Sequence, residues 1–185
     1  NVPFPALASV VSNDACRALC RDGFAVVDGA VGETWAHLFR DDVITLAERR
    51  LLGRNATHFV RGGATHLLEK RGIYEAELDR PDARAAAPRL AKLFADASLR
   101  KRLAACVGGA LASQTLKVQL NHGGGSCFPL HFDGDPALDD RRVTGILYLN
   151  PDHGPDDGGE LQLVPFPAPP VDVAPKFDRL VLFSS

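Results

Sequence analysis

Arg142-Val143-Thr144-Gly145-Ile146-Leu147-Tyr148-Leu149-Asn150 is a run of β-branched, aliphatic and aromatic residues closed by an asparagine. Strand alternation puts Thr144, Ile146 and Tyr148 on one face and Val143, Leu147 and Leu149 on the other. Runs of the same character, each bounded by Gly, Pro, Asp or Asn, occur at 115–121, 127–133, 159–164 and 178–183. No helical pattern lies between them, which points to an antiparallel sandwich or barrel. The Pro-rich 165–175 stretch reads as an ordered connection.

Upstream the periodicity changes. Ser12 caps apolar positions at helical spacing that end before Gly23, Phe24–Asp28 is a short strand, and Trp35, Leu38, Phe39, Ile44 and Leu51 mark a longer amphipathic helix. From His58 to Asp79 glycines interrupt the apolar residues, so exposed connections with short strands are expected. Helical pattern returns near Pro88 and keeps one apolar face from Leu90 to Val107, until Gly108-Gly109 ends it. The expected fold class is α+β, with residues 1–112 a helical support and substrate-flanking region and residues 113–185 a β core, all in one domain.

A length of 185 residues with 45% hydrophobic content suits one domain with a sizeable core. A net charge of -2 lacks the dense basic footprint that sequence-independent nucleic-acid binding needs. No apolar run is long enough to span a membrane, so neither nucleic acid nor membrane is expected as a partner. The chain begins with Asn rather than Met, which reads as trimming or processing. A cytoplasmic or nuclear address is expected. The 4 cysteines make neither a disulfide framework nor a zinc site and are expected to be buried thiols.

The chemistry concentrates in Phe128-Pro129-Leu130-His131-Phe132-Asp133. Two residues apart in a strand means one shared face, so His131 and Asp133 offer an imidazole nitrogen and a carboxylate oxygen to one pocket. These are two of the three ligands of a 2-His-1-carboxylate facial triad, which leaves iron(II) open positions. The bland alternative is a buried hydrogen-bonded pair. Tyr148, on the pocket face of its strand, can donate to a carboxylate, and Leu161, after Gly158-Gly159-Glu160, is a candidate apolar wall.

Taken together, His131-Phe132-Asp133, Arg141 to Asn150, Gly158-Gly159-Glu160-Leu161 and Pro175-Lys176-Phe177-Asp178-Arg179-Leu180 resemble, in order, the motifs of the Fe(II)/2-oxoglutarate-dependent dioxygenases. The similarity is nearest to the prolyl 4-hydroxylase type, represented by the hypoxia-inducible-factor prolyl hydroxylases and related algal or protist enzymes. It is clear over about the last third of the chain. The resemblance implies a double-stranded β-helix (jelly-roll, cupin-like) core with packed N-terminal helices. It implies hydroxylation of a C–H group, with a prolyl residue of a protein as first substrate and a small molecule also open. 2-Oxoglutarate and dioxygen would become succinate and carbon dioxide, with ascorbate in support. It further implies that His131 and Asp133 bind the iron, that Tyr148 hydrogen-bonds the co-substrate, that Ile146 and Leu161 flank it, and that Arg141 lies near the peptide.

Two departures stand out. Asn121 occupies the place of a second pocket tyrosine, before Gly123-Gly124-Gly125. The family's second iron-binding histidine and its carboxylate-anchoring arginine would lie beyond Ser185, so a longer enzyme is expected. His122 and His153 sit in polar loops and are read as surface residues rather than substitute ligands. The carboxylates Asp139-Asp140 and Asp156-Asp157, and the run Arg100-Lys101-Arg102, are read as solvated charge. Two rival readings are a non-catalytic β-helix binding module and a cupin-like metalloenzyme that does not use 2-oxoglutarate.

Overall fold

The structure, a computed structural model, describes residues 2–134 and 140–185. Asp139 therefore lies outside the described residues. The backbone forms two compact units, Asn1–Arg40 with Ala95–Gln114 and His131–Ser185, and Asp41–Phe94 with Thr115–Leu130.

In the first unit, the short helix α1 (Leu7–Val10) precedes α2 (Asn13–Asp22). The Ser12 hydroxyl accepts the Ala15 N–H at 3.1 Å and so satisfies one open donor of the first turn of α2. Gly23, at φ 80, closes the helix by donating to the Leu19 carbonyl. The chain then enters β1 (Phe24–Asp28) and α3 (Glu33–Glu48), whose residues up to Arg40 belong to this unit.

The main sheet is antiparallel in the order β1, β8 (Arg179–Ser184), β5 (Val143–Tyr148). Its register aligns Val26 and Ile146 with Val181, and Asp28 and Tyr148 with Arg179. One face carries Leu180 and Leu182 into a core with Val11, Leu19, Ala25, Ala30 and Leu103, against which Val143 and Leu147 also pack. Each fully buried leucine contributes about 1.5–3 kcal/mol by leaving water. The alternation read from the sequence thus holds: Val143 and Leu147 face this core, and Thr144, Ile146 and Tyr148 face the other way. A side chain at Gly145 would stand 3.2 Å from Leu182 Cδ2, so the glycine lets Leu182 pack against the strand.

Buried Asp178 fixes the entry to β8 from a left-handed backbone (φ 56), a conformation aspartate tolerates better than most residues. Its N–H donates to the Tyr148 carbonyl, its own carbonyl accepts Ala30 N–H, and its carboxylate accepts Val31 N–H at 2.8 Å. The 165–175 connection includes the short strand β7 (Val171–Val173), which pairs with β6 (Leu161–Leu163).

Three expectations are corrected. The apolar face from Leu90 to Val107 is divided between two helices, α5 (Pro88–Ala95) and α6 (Ser98–Val107). Asp96 breaks the run by accepting the Ser98 N–H at 2.7 Å, offering the backbone a local bond in place of the helical one. The Arg100–Arg102 run is not simply a solvated face: Arg100 donates to the Leu111 and Ala112 carbonyls and Arg102 to the Val11 carbonyl. Cys16 and Cys106 are a disulfide and not buried thiols. Helices α2 and α6 pack side by side and bring their Cα atoms to 5.2 Å, within the span a disulfide bridges, although 90 residues separate them in sequence. Cys20 and Cys127 are free but exposed.

In the second unit, β2 (Gly53–Arg61), β3 (Ala64–Glu77) and β4 (Lys117–Asn121) form an antiparallel sheet in that order. This corrects the expectation of irregular connections. Gly62 and Gly63, both at positive φ, make the two-residue turn of a long hairpin. Gly72 lies inside β3, where a Cβ would fall 2.3 Å from Ser126 Oγ, so the residue that reads as a break permits a close approach. The helix α4 (Pro81–Ala86) and most of α5 complete the unit. Asp42, on α3 and only 1% exposed, accepts the N–H groups of Arg89 and Leu90 at 2.7 and 2.9 Å and caps α5.

Candidate metal centre

The segment 127–133 is not a strand. Pro129 removes a ladder donor, and no strand among the described residues pairs with this segment, so its backbone runs irregularly. His131 and Asp133 converge without a strand to orient them: His131 Nε2 and Asp133 Oδ1 are 3.0 Å apart. The Asp133 carboxylate is 19% exposed and the imidazole 52%. Arg141 Nη1 lies 3.6 Å from the other carboxylate oxygen. Arg141, expected near a peptide, thus pairs with the presumed ligand in this structure.

The ends of β5 and β8 position this segment. A side chain at Gly134 would meet the Ser185 backbone at 3.0 Å and the Arg141 carbonyl at 3.4 Å, so the backbone after Asp133 lies directly against both. Ser185 N–H bonds to the Arg142 carbonyl, and the hydroxyls of Ser185 and Thr144 are 2.7 Å apart. The His-Asp pair therefore sits against the edge where Thr144 begins the outward face of β5.

Farther along that face stand Ile146, opposite fully buried Val181, and Tyr148, opposite Arg179. Burial pushes the Tyr148 phenol up to about 12, and the charge of Arg179 opposes the rise only in part. A phenol is a donor throughout the neutral range, and burial extends that range upward. Arg179 is held in a fork by Asp28, at 2.6 and 2.8 Å, and donates to the Ala174 carbonyl at 3.0 Å. Its hydrogen bond holds the Asp28 carboxyl below the usual range, against the opposing effect of burial. Sequence reading missed this pair, because nothing local marks a contact that depends on the β1–β8 register.

The raised Tyr148 value has a measurable consequence. Between pH 10 and 12 the unfolded chain loses the phenolic proton while the folded chain keeps it, so stability falls as pH rises through that window. Tyr148→Phe removes this loss. Its urea-unfolding stability relative to wild type is expected to improve by about 1 kcal/mol between pH 8 and pH 11. An unchanged difference would contradict the assignment.

Leu161, half-buried, belongs to the separate β6–β7 ladder opposite Val173. Asn121 ends β4 in the second unit, where its Oδ1 accepts Gly123 N–H at 2.8 Å. His122 sits edge-on to Tyr74, and His153 Nε2 lies 2.9 Å from the Gly158 carbonyl oxygen. Among the described residues no group of three or more His, Cys, Asp or Glu side chains is placed to hold a metal ion. The pair His131 and Asp133 still suits two positions of a ferrous facial triad. A nitrogen and a carboxylate oxygen already meet at one point, where an ion would replace their mutual hydrogen bond.

Residues 116–185 match the family model of the 2OG-Fe(II) oxygenase superfamily. The type it resembles is the prolyl 4-hydroxylase. A prolyl 4-hydroxylase structure from Phytophthora capsici superposes with a TM-score of 0.81 at 33% identity, over 97% of this chain and 56% of that one. This chain thus spans little more than half the length of that relative. A Trichoplax adhaerens prolyl hydroxylase, solved with a hypoxia-inducible-factor oxygen-degradation-domain peptide fragment, gives 0.78 at 26% identity, over 96% of this chain and 80% of that one. A Pseudomonas putida prolyl-4-hydroxylase shares the fold, with a TM-score of 0.74 at 22% identity, over 93% and 85%. No curated protein matches in sequence. No helix among the described residues is long and apolar enough to cross a membrane.

Proposed function

We propose that this chain carries the iron-binding pair and co-substrate face of a 2-oxoglutarate-dependent oxygenase that hydroxylates a prolyl residue in a protein. The observation that carries this reading is the 3.0 Å convergence of His131 and Asp133 within a segment matching the superfamily. In this reading the β1–β8–β5 sheet and the β6–β7 ladder are parts of a double-stranded β-helix. A bound ferrous ion, with 2-oxoglutarate and dioxygen, supplies the oxidising power for C–H hydroxylation and yields succinate and carbon dioxide.

The chain's own residues hold and orient. His131 and Asp133 would hold the ion in place of their mutual hydrogen bond, and the Arg141 guanidinium, 3.6 Å from the second carboxylate oxygen, would help orient Asp133. Tyr148, a protonated phenol at neutral pH, donates to the co-substrate carboxylate, while Ile146 and Leu161 flank it and keep water from it. The resemblance would call for a third protein ligand and for a cation at the distal carboxylate. The peptide fragment in the Trichoplax structure supports a protein substrate. Ascorbate would keep the iron reduced.

The full-length enzyme, given iron(II), ascorbate and proline-containing peptides, is expected to release succinate in step with peptide mass gains of one oxygen. A second reading, a binding module without turnover, draws on the absence of a three-ligand group among the described residues. Peptide binding without succinate release would favour it.

A further inference from the structure

The first unit holds three sulfur atoms that the proposed reaction does not use. Cys16 and Cys20 lie one turn apart on α2, so their side chains share a face. That face meets α6, where Cys106 is bonded to Cys16. The free Cys20 thiol donates to the Cys106 carbonyl oxygen at 3.1 Å, so it stands beside the same residue that Cys16 already holds. Cys20 is exposed, whereas Cys16 and Cys106 are half-buried.

We propose that Cys16, Cys20 and Cys106 form a thiol–disulfide exchange site, in which Cys106 passes between Cys16 and Cys20. The step balances without an outside oxidant. Cys20 loses its proton to solvent and its thiolate attacks Cys106 Sγ. The Cys106–Cys16 bond breaks, and Cys16 leaves as a thiolate that takes a proton from water. Either pairing ties α2 to α6, so the staple survives the exchange. What changes is the free thiol, which moves from an exposed position to a half-buried one one turn earlier. The pairing with Cys16 therefore presents a thiol open to small disulfides such as oxidised glutathione, and the pairing with Cys20 withdraws it.

The sequence makes the two pairings separable, because trypsin cleaves after Arg17 and places Cys16 and Cys20 in different peptides. The protein carrying Cys127→Ser, which removes the other exposed thiol, is held unreduced at pH 8.5, quenched with acid, alkylated and digested. Cys106 is expected in linkage to both peptides, with on the order of a tenth or more of it joined to Cys20. Adding Cys20→Ser should leave the Cys16 linkage alone. In the Cys16→Ser variant, oxidised glutathione should produce a Cys20–Cys106 bridge, through a transient mixed disulfide at Cys20 that Cys106 resolves with loss of glutathione. Recovery of Cys106 solely with Cys16 at every incubation time would overturn the proposal. The unreduced digest decides the matter should Cys16→Ser fail to fold.

Discussion

Asp133→Ala in the full-length enzyme is expected to lower 2-oxoglutarate turnover by about 100-fold or more and to weaken iron(II) binding by a similar factor. The carboxylate is one of two donors that the described residues bring to a point, and no neighbouring carboxylate forms a three-ligand group with them. Its loss also removes the partner that Arg141 approaches at 3.6 Å, leaving a cation where an anion stood. The fold should not notice. Asp133 lies in an irregular segment and supports no strand ladder, so the thermal midpoint should stay within about 2 °C of wild type. Succinate release and metal titration on the same preparation check both halves. Retained turnover with normal iron affinity would remove Asp133 from the centre.

Asp42→Ala should act in the opposite way, costing stability with no direct part in chemistry. Its carboxylate is 2% exposed and accepts two backbone N–H groups of α5 as well as the Arg89 guanidinium at 2.9 Å. Truncation takes the acceptor from a buried N–H, that of Leu90, and a part-buried one, that of Arg89, at a helix N-terminus. The expected loss is about 2–4 kcal/mol. Asp42→Asn keeps one acceptor oxygen and should lose clearly less. Urea unfolding of the three proteins gives the order wild type, Asn, Ala; an Asn variant as unstable as Ala would show that charge rather than hydrogen bonding dominates.

Local signals were legible where the cause of the structure is itself local. Ser12 and Gly23 bracket α2, and the alternation from Val143 to Tyr148 told which residues face the core, because capping and strand periodicity depend on near neighbours. The His131–Asp133 pair was legible from residue type and spacing, though the reason first assigned to it, a shared strand face, is not what brings the atoms together. Features that depend on distant partners were hidden. The Cys16–Cys106 bond, the Asp28–Arg179 fork and the Asp42 cap each join residues far apart in sequence. Glycines at 62, 63 and 72 read as breaks, because only the folded hairpin shows that two form a turn and one permits Ser126 to approach.

The central claim is that one ion takes its protein donors from His131 and Asp133. A crystal structure of the full-length enzyme grown with manganese(II), an oxygen-inert stand-in for iron(II), tests this through the metal's anomalous scattering. One peak is expected, bonded directly to His131 Nε2 and to a carboxylate oxygen of Asp133, with the hydrogen bond between them gone. A peak held by other residues, or a His131–Asp133 pair still hydrogen-bonded to each other at saturating metal, would contradict the account.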